Sequence, residues 1–438
     1  MAKQPRWRNA RIGAVLAVAS VALAGCIGGT SGPGSDGNGG PVSTNIPDEP
    51  IELTLTDSTS LTAPALIEAF EAKYPNVTIN YEPEQFNDYI KNIRLKMTSN
   101  DPPDIAAFQG PVNELIPGGY LLDLTPYEEL YNWDDSVSKA ALDQWRLTSD
   151  AKTYGEGELY AVPGAGLSIV GTWFNRAQLK QAGIAKPPTT LDELEADLAK
   201  AKAAGLQGIE VGALDTGAQQ MLYVLLNALC PTADIQAWVF GHDGATIDTD
   251  CARAAAQKIL DWSKAGYLPS TLTGIGHDDA AVAWAEGNGL FHFNGNWNTP
   301  AALEGLGDDA GFTLVQGENA AATGASGGYA ASSKTKYPDV VAAFLNFMTT
   351  KDAAKIQIEG GLLPVDSGSA ASETPLQQEI GTAYQAVNQA NGLVQFLEYA
   401  TPDMQDALTA GVQSLILQRM TADEFVKSLQ DLWDAQHG

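Results

Sequence analysis

The sequence predicts an α/β fold in which strands and amphipathic helices alternate. A strand-like run with period two, Ile51–Thr56, precedes an amphipathic helix at Pro64–Lys73. A second strand at Val77–Tyr81, a second helix at Phe86–Met97 and a short apolar strand at Ile105–Phe108 follow in the same order. This βαβαβ order is typical of the start of a doubly wound, mostly parallel sheet.

The alternation continues along the chain and predicts a second α/β half. The predicted elements are an extended run at 167–175, a helix at 190–205, a strand at Ile209–Val211, a helix at Ala281–Gly287, a strand at Leu290–Phe293 and helices that begin at Pro338, at Gln405 and after Thr421. Thr190 and Thr421 are each followed three residues later by glutamate, the capping-box pattern of a helix start. Because 438 residues are too many for one compact core, we expect two lobes.

The charge and the residue spacing exclude several classes of partner. The formal net charge is −28, and no basic stripe interrupts this acidic background. Such a surface repels phosphates, so we expect no nucleic-acid partner. The four histidines show no metal-ligand spacing, and there is no P-loop or dinucleotide fingerprint. We therefore expect no metal and no cofactor.

The first 25 residues have the pattern of a secretory signal. Basic residues precede the uncharged apolar run Ile12–Ala24, which is too short to span a membrane. Its ending, Leu23-Ala24-Gly25-Cys26, resembles the bacterial lipobox, in which lipid is added to the cysteine thiol. Residues 26–49 are rich in Gly, Ser and Pro and predict a flexible linker. The alternative is an ordinary signal peptide with an incidental cysteine.

Two cysteines remain once Cys26 is assigned to lipid. Cys230 ends one apolar helical run, and Cys251 opens the next. Outside the cell such leftover cysteines are expected to pair. A bridge between them would join consecutive helices and stabilise the fold by roughly 3 kcal/mol.

Side chains that follow the first three strands are the first candidates for a binding site. Ligands of doubly wound sheets bind beyond the carboxyl ends of the strands. The candidates at these ends are Asp57 and Ser58, then Glu84, then Phe108 and Gln109. Asp57 and Ser58 have an alternative role as the N-cap of the next helix, and Phe108 has one as a core residue.

A series of short motifs resembles one protein family over about 300 residues. The motifs are Ala69-Phe70-Glu71-Ala72-Lys73-Tyr74-Pro75, Pro102-Pro103-Asp104, Leu122-Asp123-Leu124-Thr125, Tyr160-Ala161-Val162-Pro163, Trp173-Phe174-Asn175, Pro187-Pro188-Thr189-Thr190, Gly287 with Gly295-Asn296-Trp297, and Gly361-Leu362-Leu363-Pro364-Val365. They are similar to the extracellular solute-binding proteins of ABC importers, in the carbohydrate-binding, maltose-binding-protein-like branch (family 1). The resemblance implies a two-lobed periplasmic-binding-protein fold of type II, whose lobes close on a sugar and deliver it to a membrane permease with a separate ATPase.

The resemblance also implies how the chain is divided and where it works. Lobe 1 would comprise residues 50–166 and 328–365, lobe 2 residues 176–325 and 366–438, and the hinge would lie near 167–175, 326–331 and 366–372. The protein would be a monomer, held by lipid on Cys26 at the outer face of the cytoplasmic membrane, as in Gram-positive bacteria.

The family pattern adds candidate ligand-binding residues. Trp297 matches the Gly-x-Trp position at which the family places a stacking tryptophan, and Asn296 beside it is a candidate donor to a sugar hydroxyl. The further candidates are Trp173 on a crossing strand, Gly328 and Tyr329 on the return crossing, and Tyr399 near the C-terminus. Trp297 has core packing as its alternative, and Trp173 has hinge packing. Ser168 stands where the maltose receptor has an acid, which argues against maltose.

An enzymatic function is the main alternative. Residues 324–328 match the Gly-x-Ser-x-Gly pattern of serine hydrolases, but that motif needs a strand before it and a helix after it. The sequence favours neither, and the only downstream histidine is His437. The sequence therefore predicts a non-catalytic receptor. A surface-anchored glycan hydrolase and a receptor for a polyamine or a glycerophosphodiester are the alternatives.

Overall fold

The computed structural model describes residues 41–58, 60, 62–360, 362–365 and 374–437. The predicted signal peptide, the lipidation site Cys26 and the predicted hinge segment 366–372 lie outside the described residues. Within the described residues no helix is both long and apolar enough to cross a membrane.

Strands and helices alternate along the described chain. The strands are β1 (Ile51–Ser58), β2 (Val77–Glu84), β3 (Ile105–Phe108), β4 (Arg146–Leu147), β5 (Glu158–Leu159), β6 (Ala161–Leu167), β7 (Val170–Asn175), β8 (Ile209–Glu210), β9 (Phe291–Gly295), β10 (Ala310–Thr313), β11 (Ala322–Thr323), β12 (Ser326–Ala331) and β13 (Leu393–Val394). The helices are α1 (Ala63–Lys73), α2 (Phe86–Met97), α3 (Thr125–Tyr131), α4 (Lys139–Asp143), α5 (Arg176–Gln181), α6 (Leu191–Ala203), α7 (Gln219–Leu229), α8 (Thr232–Val239), α9 (Asp250–Lys264), α10 (His277–Ala285), α11 (Thr299–Gly305), α12 (Pro338–Met348), α13 (Lys351–Glu359), α14 (Pro375–Gln389), α15 (Met404–Ile416) and α16 (Ala422–His437). The α/β class predicted from the alternation is confirmed.

Two main sheets organise these elements. Sheet 1 has five strands in the order β2-β1-β3-β12-β6, and sheet 2 has four in the order β10-β7-β9-β8. In sheet 1 only β12 runs against its neighbours, and in sheet 2 only β7 does. These are the strands by which the chain passes from one sheet to the other: β7 follows β6, and β12 returns after β10. The chain leaves one sheet at the edge that borders the cleft and enters the other sheet at the edge that faces it. The crossing strand therefore runs antiparallel to the other strands of the sheet that it enters.

The helix starts show how local sequence sets the boundaries. At α16 the capping box is complete, because Thr421 N donates to Glu424 Oε2 (2.9 Å) and Glu424 N donates to Thr421 Oγ1 (3.2 Å). At α6 it is incomplete: the Thr190 side chain accepts from Glu193 N, but Glu193 Oε2 accepts from the backbone of Thr189, at 2.8 Å. The prediction of a full box at Thr190 is therefore corrected.

Aromatic clusters fill the space between each sheet and its helices. Beside sheet 1, the Phe70 ring packs edge-on against Phe344 with 5.2 Å between centroids. Beside sheet 2, Trp173 packs edge-on against Phe312 at 5.2 Å and against Trp284 at 5.8 Å. Burial of such side chains contributes roughly 2–3 kcal/mol each. Each cluster packs one sheet against its own helices, so the two sheets form separate supports on either side of the cleft.

Cys230 and Cys251 are joined in the structure, with 5.3 Å between their Cα atoms. The bridge connects the C-terminal end of α7 to the first turn of α9. This matters for the site because α7 carries polar side chains into the cleft from its other end.

Candidate ligand-binding cleft

A cleft of about 970 Å³ lies between the elements of sheet 1 and those of sheet 2. The sheet-1 side contributes Ile90, Gln109 and Glu359, and the sheet-2 side contributes Gln219, Tyr223, His277, Trp297, Phe396, Glu398 and Gln405. Ser168 and Ala325, from the two crossing segments, form its back. Ser168 N donates to Ala325 O (2.9 Å), which ties the two crossings together.

Trp297 forms an aromatic wall of the cleft. It lies in the 3-10 turn Asn296–Asn298 after β9, and its side chain is 42% exposed. Its ring centroid is 6.4 Å from that of Phe396 and 6.3 Å from that of His277. A Cβ on Gly295 would lie 2.0 Å from the indole, so only glycine lets the ring fold back over the backbone. The Gly-x-Trp motif thus has a steric cause.

Asn296 lines the cleft, but its side-chain oxygen and its backbone N–H already form hydrogen bonds within the protein. Its Oδ1 accepts from Ile169 N (2.9 Å), and its own N donates to Ile169 O (3.1 Å). These bonds fix the turn that carries Trp297 to the crossing segment. Its role as a donor to a ligand hydroxyl stays a prediction, whereas its role in positioning Trp297 follows from the contacts.

A network of polar side chains forms the floor of the cleft on the sheet-2 side. The Tyr223 hydroxyl donates to Glu398 Oε2 at 2.7 Å and lies 3.0 Å from Gln219 Oε1. Gln219 Nε2 donates to Thr409 Oγ1 (2.6 Å), and Gln405 Nε2 donates to Gln219 Oε1 (3.0 Å). Because these bonds link α7, α15 and the turn at Leu397–Tyr399, the side chains are held before any ligand arrives.

Glu398 is the carboxyl group of this network and accepts from the Tyr223 hydroxyl. Burial raises the pKa of its carboxyl, and the hydrogen bond from Tyr223 opposes that effect. Burial and the nearby Glu398 also keep the pKa of the Tyr223 phenol well above its usual value, so Tyr223 remains a donor. Next to them, Gln220 is 6% exposed and its Oε1 has no hydrogen-bond partner among the described residues. Acceptors of this kind suit a ligand that is rich in hydroxyl groups.

Sequence reasoning missed this floor, although a signal was present. The run from Met221 onward has the pattern of a core helix, but the first turn of α7 carries Gln219 and Gln220, and Tyr223 follows on the same face as Gln219. The polar residues continue ahead of α7, where Asp215 Oδ1 accepts from Gly217 N at 3.3 Å and from His277 N at 2.8 Å. Polar residues at the start of an otherwise apolar helix were the available sign of a site.

Hydrogen bonds behind Trp297 hold two histidine rings in position. Asn294 Oδ1 accepts from Gly295 N (2.8 Å), so its Nδ2 donates to His292 Nε2 (3.0 Å). Burial lowers the pKa of His292 to about 4, consistent with a neutral ring that donates from Nδ1 to Glu210 O. His277 places Nε2 against Asn294 Oδ1 and Nδ1 against Asp278 Oδ1, both at 2.9 Å. These two contacts hold the His277 ring beside that of Trp297.

On the sheet-1 side the predicted acidic site residue is covered. Asp57 is 1% exposed, with its Oδ2 accepting from the Tyr329 hydroxyl (2.8 Å) and its Oδ1 from Ser58 Oγ (3.3 Å). Burial raises the pKa of Asp57 to about 7, although these hydrogen bonds oppose that effect. Tyr329 is itself 1% exposed. The structure thus places Asp57, Ser58 and Tyr329 beneath the cleft, because their strands are covered on both faces.

The remaining candidates from the sequence are placed in three kinds of position. Gln109 lines the cleft. Phe108 and Trp173 are core residues, and Gly328 packs under Trp145, where a Cβ would lie 2.6 Å from the indole. Glu84 pairs with Lys96 of α2 and accepts from Asn92.

Tyr399 connects the two sides of the cleft, since its hydroxyl donates to Gln109 O at 2.9 Å. Its ring belongs to a second, adjoining cavity.

Ser326 does not form a nucleophile elbow. It is fully buried and is the first residue of strand β12, so a strand follows it where the elbow requires a helix. Its Oγ lies 2.9 Å from both Ala141 O and Gln144 Oε1, and Trp145 Nε1 donates to it at 3.0 Å. The hydroxyl holds the crossing segment in place.

Residues 56–355 match the family of bacterial extracellular solute-binding proteins. The chain belongs to this family. Its fold is similar to that of a chitin oligosaccharide binding protein (20% identity, TM-score 0.69), covering 89% of this chain and 100% of the other. It is also similar to the GacH receptor of Streptomyces glaucescens, solved without ligand and with acarbose (19% identity, TM-score 0.67, covering 88% and 98%).

Among curated proteins, a candidate binding protein of Brucella abortus is 25% identical over 171 residues. That match spans 37% of this chain and 39% of the relative, so the chain matches well under half of the relative's length.

Proposed function

We propose that the protein is the substrate-binding lipoprotein of an ABC importer, which captures a mono- or oligosaccharide in the cleft and delivers it chemically unchanged to a membrane permease. The observation that carries the proposal is the pairing of a half-exposed indole, Trp297, with the preformed network of Tyr223 and Glu398. A sugar ring has an apolar C–H face and a rim of hydroxyls. The indole stacks on the apolar C–H face, which contributes about 1 kcal/mol by analogy with pairs of aromatic rings. The carboxylate accepts hydrogen bonds from the hydroxyls at the rim.

Two further observations support this proposal. The relatives of the same fold include receptors whose names state chitin oligosaccharide and acarbose as ligands. Glu398 in the cleft also accepts a hydrogen bond from a hydroxyl group, that of Tyr223, which is the kind of donor that a sugar carries.

Membrane anchoring and lobe closure belong to the same proposal. The lipobox-like sequence at Cys26 supports a lipid anchor. The two crossings at Ser168 and Ala325 support a hinge there, with the lobe boundaries predicted from the sequence. Closure on a ligand would then be a hinge equilibrium that the ligand biases. Small-angle scattering tests it: ligand should reduce the radius of gyration, and an unchanged radius would count against closure.

Calorimetry against a sugar panel, with analysis of the sugars afterwards, tests the main proposal. The panel would contain xylo-, chito- and malto-oligosaccharides of one to five units, with spermidine and glycerophosphocholine as controls. We expect saturable one-to-one binding of a sugar that is recovered intact. Shortened sugars would support a hydrolase instead, and binding of a control alone would support a receptor for another solute.

A further inference from the structure

A hydrogen bond joins the two sides of the cleft directly, in addition to the bond between the crossing segments. The Tyr399 hydroxyl, on the sheet-2 side, donates to Gln109 O, which follows β3 of sheet 1, at 2.9 Å. Tyr399 ends the 3-10 turn Leu397–Tyr399, and its neighbour in this turn is Glu398 of the polar floor. Glu398 and Gln109 line the cleft, whereas Tyr399 lines the adjoining cavity, so the bond lies at the border of the cleft.

A second contact between the two sides holds the ring of Tyr399. The segment between β4 and β5 directly precedes β6 of sheet 1, and its Tyr154 N donates to Phe240 O at the end of α8 (2.8 Å). The Tyr154 ring packs edge-on against that of Tyr399, with 6.4 Å between centroids. Gly155 has a φ of +78°, and a Cβ there would lie 2.7 Å from the Phe240 ring. Glycine at this position therefore lets the segment approach α8 closely.

Both contacts join protein groups to protein groups, so neither needs a ligand to form. The bond from Tyr399 to Gln109 O would be lost if the two sides moved apart by about 1 Å, because a hydrogen bond requires short distances. The bond therefore stabilises the closed arrangement of the cleft relative to an open one. A neutral hydrogen bond changes such an equilibrium by a factor of about two to ten.

We infer that Tyr399 is a latch, which keeps the cleft closed for a substantial part of the time before a sugar binds and so scales the affinity for every ligand of the cleft. This rests on the proposed lobe closure and deepens it, because it assigns a closing contact to one side chain. A residue that contacts the ligand changes the affinities for different sugars by different factors. A latch changes all of them by the same factor, because it alters only the fraction of binding-competent protein.

The variant Tyr399→Phe tests the latch, because it removes the hydroxyl and keeps the ring beside Tyr154. Tyr127→Phe is the matched control, since the Tyr127 hydroxyl donates to Asp339 Oδ1 (2.7 Å) within the sheet-1 side. Small-angle scattering without sugar is the first measurement. We expect a larger radius of gyration in Tyr399→Phe than in the wild type, and the wild-type radius in Tyr127→Phe. An unchanged radius in Tyr399→Phe would overturn the inference.

Calorimetry is the second measurement, with those xylo-, chito- and malto-oligosaccharides of one to five units that the wild type binds. Tyr399→Phe should bind each of them about two- to fivefold more weakly, by the same factor for all. Tyr127→Phe should bind them as the wild type does. Losses that differ between sugars would show that the hydroxyl contacts the ligand, and they would overturn the latch. Unchanged affinity in Tyr399→Phe would overturn it as well.

The outcomes separate this inference from the proposed function. A wild-type protein that binds no sugar would overturn the proposed function, and the scattering of the ligand-free proteins would still decide whether Tyr399 is a latch. Sugar binding by the wild type together with equal radii in all three proteins would overturn the latch and leave the receptor function standing.

Discussion

The two sides of the cleft differ in the aromatic and polar side chains that they present to a ligand. The sheet-2 side presents an exposed indole, Trp297, and a preformed polar floor around Tyr223 and Glu398. The sheet-1 side presents Gln109 and an exposed Ile90, while its buried carboxyl, Asp57, lies under Tyr329. We propose from this comparison that the sheet-2 side recognises the ligand and that the sheet-1 side mainly covers it.

The difference follows from the elements that reach the cleft. On the sheet-2 side these are helix starts and 3-10 turns, where side chains project from the ends of elements. On the sheet-1 side the residues at the ends of β1 and β12 belong to interior strands with helices on their faces. Their side chains therefore pack under neighbouring elements, and the sheet-1 side reaches the cleft with Gln109 after β3, Ile90 of α2 and Glu359 of α13.

The largest expected effect tests the aromatic wall. Trp297→Ala should weaken sugar binding at least tenfold, about 1.4 kcal/mol, because it removes the apolar platform. The matched change in the core, Trp173→Phe, should lower stability by about 1–2 kcal/mol, through lost packing and the lost bond to Asn294 O, and keep affinity within twofold. Calorimetry and thermal unfolding measure both. Unaltered affinity in Trp297→Ala would remove that residue from the site.

A carboxylate pair across the cleft tests the asymmetry directly. Glu398→Gln should weaken binding about five- to tenfold, because an amide oxygen accepts more weakly than a carboxylate. Glu359→Gln, on the exposed edge of the sheet-1 side, should change affinity less than twofold. Titration calorimetry of both variants decides the point. Equal losses would mean that the two sides contribute alike.

The buried carboxyl on the sheet-1 side should affect stability and hardly affect affinity. The folded pKa of Asp57 is raised from 3.8 to about 7, so its contribution to stability is present below pH 3.8 and is lost as pH rises toward 7. Asp57→Asn keeps the acceptor for Tyr329 without the charge. Its free energy of unfolding should exceed that of the wild type increasingly above pH 4, by roughly 1–3 kcal/mol at pH 8.

Urea titrations between pH 4.5 and 8 measure this difference. The lowered pKa of His292 acts in the opposite sense, since its contribution is present above pH 6.5 and is lost toward pH 4. His292 is common to both proteins and cancels in the comparison. A difference that is independent of pH, or affinity changed more than twofold, would contradict the assignment of Asp57 to the scaffold.

The smallest expected effect on affinity concerns the bridge. Reduction of Cys230–Cys251, which closes a loop with a sequence separation of 21, should cost about 3 kcal/mol of stability. Affinity should stay within twofold, since the bridge lies at the far end of α7 from Gln219. The double variant with serine at both positions serves as the control for the reductant. Loss of binding in the folded reduced protein would show that the polar floor depends on the bridge.

Local sequence predicted the elements well. The alternation of helical and apolar runs located α2 and the short apolar strand β3 at their observed bounds, and Pro338 at the first turn located the start of α12. These signals succeed because hydrophobic periodicity and caps act within one element. The Gly-Asn-Trp turn was also visible, because glycine there is a local steric requirement of the indole.

The burial of site residues was decided by tertiary structure alone. The sequence made Asp57, Phe108, Trp173 and Tyr329 candidates for the site together with Trp297, yet the structure buries the first four and exposes the last.

By itself, the sequence determined the α/β class, the order of the elements and the residue types available for recognition. Only the tertiary structure decided which of them meet: Gln219, Glu398 and Gln405 are distant in sequence and form one hydrogen-bonded floor. Such contacts depend on how the crossings place one sheet against the other. Periodicity carries no information about that arrangement, because it reports which face of an element is buried and not which element covers it.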